Sequence, residues 1–209
     1  YWNLTSATTM VTVLTSDPYD MEPSTKLVTG SDTFSITPLR SKPGEVLVAT
    51  ATAVGYTQHN TGNITVNPGA AAKLLALLPG EQAAPGKNTA PLGKADGLPP
   101  TAQTSNGAFT VTVRLVDANW NQVTSGGMPA VRVRTPDDNY DLEPATQTLS
   151  GGSAGFVVTM FRASPQTVIA EDVAAVLTPP YQTPAVTVNP GAPVKLQPVA
   201  PGETAVPGK

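Results

Sequence analysis

The sequence repeats itself at one fixed distance. Asn67-Pro68-Gly69-Ala70, Lys73-Leu74, Pro79-Gly80-Glu81 and Pro85-Gly86-Lys87 return as Asn189-Pro190-Gly191-Ala192, Lys195-Leu196, Pro201-Gly202-Glu203 and Pro207-Gly208-Lys209, each pair 122 positions apart. A period of that size is longer than a solenoid unit and close to one small domain, so it predicts an array of whole domains. Aligning the copies divides the chain. Residues 1–69 form an incomplete unit lacking its first strands, 70–190 form a complete one, and 191–209 form the first strand of another.

Within the period the apolar residues alternate. Phe109-Thr110-Val111-Thr112-Val113-Arg114-Leu115 keeps its apolar residues at odd positions throughout, as a strand with one buried face requires. Val11–Leu14, Phe34–Thr37, Val46–Ala49, Ile64–Val66, Lys73–Leu78, Val131–Arg134, Phe156–Met160, Val168–Ala170 and Val186–Val188 read as further strands. Tyr19-Asp20-Met21-Glu22-Pro23 matches Tyr140-Asp141-Leu142-Glu143-Pro144, Phe34 matches Phe156, and Tyr1-Trp2-Asn3 matches Asn119-Trp120-Asn121. Seven or so short strands per unit, with no helical period, predict an all-β antiparallel two-sheet sandwich. Its core is expected to hold Phe109, Val111, Val113, Leu115, Val131, Val133, Phe156, Val158, Val186 and Val188. Pro198, in the copy of Lys73–Leu78, marks that strand as a sheet edge. The Pro/Gly-rich stretch 79–107 is expected to run partly extended along the sandwich edge.

Composition narrows the function. Only 13% of residues are charged, against roughly 25% in ordinary proteins. A net charge of −3 offers no basic field for nucleic acid or anionic lipid. There is no cysteine, hence no disulfide frame and no thiolate metal site, which suits a protein that folds after export. No apolar run is long enough to span a bilayer.

The closing Val-Thr-Val-Asn-Pro-Gly, the strand Ala108–Val113 and the corner Val116-Asp117-Ala118-Asn119-Trp120-Asn121 resemble bacterial immunoglobulin-like repeats of the invasin and intimin type. The resemblance implies tandem immunoglobulin-like sandwiches in a long extracellular, cell-surface protein of adhesin-like kind. It implies a non-enzymatic stalk, spacer or filament-forming module whose partners are neighbouring repeats or identical chains in a fibre. The alternative is an adhesin module that binds glycans or calcium through its corner loops. On either reading the two ends are expected to be truncations of a longer chain, not exchange strands.

The candidate sites are few. Asp117, Asn119 and Asn121 have the D-x-N-x-N opening of a calcium loop, but Gln122 and Met128 stand where that loop needs Gly and Glu. An Asx-rich corner bonding its own backbone is the competing account, and calcium is expected to be dispensable for folding. Asp137, Asp138, Asp141 and Glu143, with Asp17, Asp20 and Glu22 earlier, form acidic turns of the same ambiguity. Trp120 and Trp2 could stack on sugar rings or bridge one sandwich to the next. His59 is the only histidine and builds neither a triad nor a metal site by itself. Asn3 and Asn63 open glycosylation sequons. Surface proteins of this kind can cross-link a Lys to an Asn, and Lys73 with Asn189, and Glu171 as proton shuttle, occupy comparable strands.

Overall fold

A computed structural model describes residues 6–41 and 49–209. Trp2, Asn3 and most of the expected strand Val46–Ala49 therefore lie outside the described residues. Every regular element is a strand, and no helix among the described residues is long and apolar enough to cross a membrane. The N-terminal strands are β1 (Thr8–Thr15), β2 (Lys26–Thr29), β3 (Ala49–Thr52) and β4 (His59–Asn60). There follow β5 (Lys73–Leu77), β6 (Gln103–Thr104), β7 (Ala108–Val116), β8 (Ala130–Arg134) and β9 (Gln147–Thr148). The last are β10 (Ser153–Thr159), β11 (Ile169–Asp172), β12 (Tyr181–Gln182) and β13 (Val188–Asn189).

Strand β7 lies at the centre of its sheet, ordered β10-β7-β5, with antiparallel neighbours on both sides. Its alternation works as expected: Phe109, Val111, Val113 and Leu115 turn to one face and are buried. A second antiparallel sheet, β12-β11-β8-β9, brings Val131, Val133 and Ala170 against that face. Phe156, Val158, Val186 and Val188 complete the cluster, so all ten expected core residues meet in one β-sandwich-like interior. Burying each such side chain contributes about 1.5–3 kcal/mol, which makes this interior the main source of stability. β5 is an edge strand, as Pro198 in its sequence counterpart implies.

Among the described residues the N-terminal part makes one sheet, ordered β2-β1-β3-β4. Its pairing follows β9-β8-β11-β12: Val13 faces Ala51 as Val133 faces Ala170. Two expected strands fail here. Phe34–Thr37 contributes only the isolated bridge Met21↔Thr37, and Ile64–Val66 a single bridge residue at Ile64. The second copy shows the partners that these segments have there. Phe156, which matches Phe34, sits in β10, and β10 pairs with β7; no sequence for such a strand occurs in residues 1–69. β13, which matches 66–67, pairs in parallel with β6, whose counterpart is likewise not within 1–69. Met10, Leu14 and Leu27 are exposed.

Residues 79–107 differ from expectation in part. They fold back on themselves through Ala84 N–H to Gly93 O (2.8 Å) and Ala95 N–H to Gln82 O (2.9 Å) before β6 runs extended beside β13. Two buried lysines hold this fold-back. Lys94 meets the equally buried Glu81 at 2.6 Å, and Lys87 donates to Asp96 at 2.7 Å and to the Pro91 and Lys94 carbonyls. A buried ammonium is tolerated only when its donors are used in this way.

Candidate functional site at the Asp117–Asn121 corner

The corner after β7 is closed by its own side chains. Asp117 is buried, and its Oδ1 accepts the Asn119 and Asn121 N–H groups at 2.8 and 2.9 Å. Its Oδ2 accepts Gly69 N–H at 2.8 Å and Asn121 Nδ2 at 3.0 Å. The Asp117 N–H returns to Asn121 O at 2.9 Å. Four N–H donors thus occupy the carboxylate, the arrangement of an Asx turn and not of a cation's oxygen cage. Among the described residues no group of three or more His, Cys, Asp or Glu side chains could hold a metal ion.

Trp120 adopts φ +66°, a conformation that strains a bulky residue, and the bonds on either side of it hold it there. Its ring turns inward and is only 7% exposed. It meets Tyr181 edge-on at 6.1 Å and carries the Lys73 ammonium 3.6 Å above its face. Gly93 lies so close that a Cβ there would come within 2.8 Å of the indole, so the fold-back of 79–107 covers the ring. No face remains on which a sugar could stack, and these contacts all come from residues 70–190. None of these Trp120 contacts therefore reaches the described residues of the N-terminal sheet.

Asn121 reaches the N-terminal segment instead. The side chain is buried, its Oδ1 accepts Ser41 N–H at 2.7 Å, and its Nδ2 donates to Leu39 O at 2.8 Å. The primary amide thereby pairs with the 39–41 backbone as a neighbouring strand would. Asp17 holds that backbone from the other side, its Oδ2 accepting Leu39 and Arg40 N–H, each at 2.7 Å. Gly86 seals the contact: a Cβ there would stand 2.7 Å from Arg40 Cα, so only glycine permits the approach. A cleft of about 490 Å³ beside the clamp is walled by Tyr19 and Arg40 on one side and by Pro85 and Arg114 on the other.

The acidic turns serve the backbone in the same way. Asp138 Oδ2 accepts Phe161 and Arg162 N–H at 2.6 and 2.7 Å, reproducing Asp17. Asp137 accepts Thr167 N–H and Oγ1–H, and these bonds hold its carboxyl below the usual range. Burial pushes the Asp141 carboxyl upward, opposed by a hydrogen bond from Thr135. Lys73, Asn189 and Glu171 are not brought together. Lys73 donates to Ala118 O at 2.8 Å, Glu171 is paired with Arg132 and Arg134, and Asn189 lies on β13 beside Thr104. His59 sits on exposed β4 opposite Ala51, and Asn63 is exposed.

Sequence reasoning named Asp117, Asn119 and Asn121 but not their receiver at Leu39–Ser41, because the two segments lie 80 positions or more apart and backbone acceptors leave no mark in the sequence. No protein-family model matches the chain, and no curated protein matches it either.

Proposed function

We propose that this chain is a non-enzymatic structural segment of an extracellular bacterial surface fibre, built of tandem immunoglobulin-like sandwiches with a 122-residue period. Its role is mechanical: it spaces and presents whatever the fibre carries, and its partners are neighbouring repeats. The observation that carries this reading is the clamp in which Asn121 pairs with Leu39 and Ser41 while Asp117 grips Gly69. A flexible tether would need no buried bonds at its joint. Here three buried or half-buried bonds and a glycine-only contact join consecutive units, and Pro68 removes one torsion from the link.

Small-angle scattering of the chain and of Asn121→Ala tests this. The unsubstituted protein is expected to give one narrow distribution of inter-unit distances, and the variant a broad one. A parent protein as flexible as its variant would remove the mechanical reading. Electron microscopy of native fibres then separates single stalks from bundled filaments.

A further inference from the structure

The segment 191–209 is folded locally and almost wholly exposed. Its turns copy those of residues 69–87 bond for bond. Ala200 N–H reaches Glu203 Oε2 at 2.9 Å as Leu78 N–H reaches Glu81 at 2.8 Å. Glu203 N–H returns to Ala200 O at 3.0 Å, and Lys209 N–H to Val206 O at 3.4 Å; the earlier copies measure 3.1 and 3.2 Å. The docking is copied too. A Cβ on Gly208 would stand 3.1 Å from Arg162 Cα, as one on Gly86 would stand 2.7 Å from Arg40 Cα. Asp138 braces that receiving backbone as Asp17 braces the other.

What differs is burial. Leu74 is 2% exposed and its counterpart Leu196 98%; Leu77 is 6% exposed and its counterpart Val199 47%. In the earlier copy the cover is known: Lys73–Leu77 pairs antiparallel with Val116–Thr112 of β7 and packs beneath β11. The polar residues that met that cover are retained. Lys195 matches Lys73, whose ammonium lies over Trp120, and Glu203 matches Glu81, which receives the buried Lys94.

We propose that residues 191–209, docked on the Phe161–Ala163 backbone, are a preformed seat for a further copy of this repeat, whose Ala108–Val116-like strand pairs antiparallel with Lys195–Val199. The occupant is specified by three complements: an apolar core face for Leu196, as Leu74 has; a corner tryptophan on the opposite face for Lys195 and Val199, as Lys73 and Leu77 have; and a buried lysine for Glu203. Its corner asparagine meets Phe161 and Ala163 as Asn121 meets Leu39 and Ser41. This rests on the array reading above.

The test appends a second copy of residues 88–190 directly after Lys209 and follows amide hydrogen exchange. Exchange across 195–200 is expected to slow by about 100-fold or more relative to the 209-residue chain, the range that separates frayed from core amides. Leu196→Asp should leave the melting of the 209-residue chain unchanged and unfold only the appended unit in the longer one. The proposal is overturned if the appended unit folds while 195–200 exchange as before, if it tolerates Leu196→Asp, or if it fails to fold on this seat. Scattering at the Asn121 joint is a separate measurement, so loss of the seat and loss of the rigid-array reading can be told apart.

Discussion

Ser41 donates its backbone N–H to Asn121 Oδ1 at 2.7 Å, joining two residues 80 positions apart, and both are buried. Truncation would strand the Ser41 donor and the Leu39 acceptor away from water. Asn121→Ala is therefore expected to cost about 1–3 kcal/mol in urea unfolding. Asn121→Asp should cost more, because it sets a second carboxylate where Nδ2 now lies 3.0 Å from Asp117 Oδ2.

Calcium should do nothing at this corner. Asp117 is occupied by four N–H donors, and a cation would have to displace them. Adding calcium or a chelator is expected to leave the melting temperature where it was. A clear rise with calcium would mean that the carboxylate is available after all.

Phe156 and Phe34 occupy matching positions in the sequence, but Phe156 is buried between its own sheet and the opposing one, whereas Phe34 is half-buried. Phe156→Ala should cost roughly 3–5 kcal/mol, as truncation of a buried aromatic does. Phe34→Ala should cost under about 1 kcal/mol, since its ring is only half-buried. Equal losses on denaturation would contradict the single-sheet description of the N-terminal part.

The Glu81–Lys94 pair offers a double-mutant cycle. Glu81→Gln keeps an acceptor for Leu78 N–H but leaves the Lys94 charge buried without its counter-charge, at a cost of about 3–5 kcal/mol. Adding Lys94→Met removes the stranded charge, so the double variant should recover much of that loss. Simple additivity in thermal or urea melts would show that the pair is not coupled.

Tyr181 supplies a pH test. Burial, with the Glu81 charge second, pushes its phenol up from the ordinary 10.0 to about 12. The folded chain thus holds this proton more tightly than the unfolded one. Its contribution is complete below pH 10 and is lost as the pH climbs through about 12. Tyr181→Phe should flatten the fall in stability across that window. An unchanged slope would place the phenol in ordinary solvent.

Much of the fold was legible because period-two alternation is a local signal. Phe109–Leu115 announces its buried face without help from any neighbour. Phe34–Thr37 shows the limit: its residues alternate acceptably, but a strand needs a partner, and the partner's sequence is missing from 1–69. At the site, the Asx pattern exposed Asp117 and Asn121 as turn formers but not what they hold. The burial of Trp120 is not legible because, Gly93 apart, nothing in Ala83–Lys94 reveals that it folds over the indole; Gly93 adopts φ +66° and allows the contact.

The short parallel pairing of β13 with β6 bears on how the chain withstands load. Gln103 N–H reaches Thr187 O and Ser105 N–H reaches Asn189 O, both at 2.8 Å, while Val186 exchanges bonds with Gln166 on the opposite side. A pull on the chain beyond Asn189, directed along β13, loads these bonds side by side. They must yield together, in shear, where a hairpin pulled at its open end would unzip one rung at a time. Two residues of parallel strand thus act as a latch on the exit of the unit.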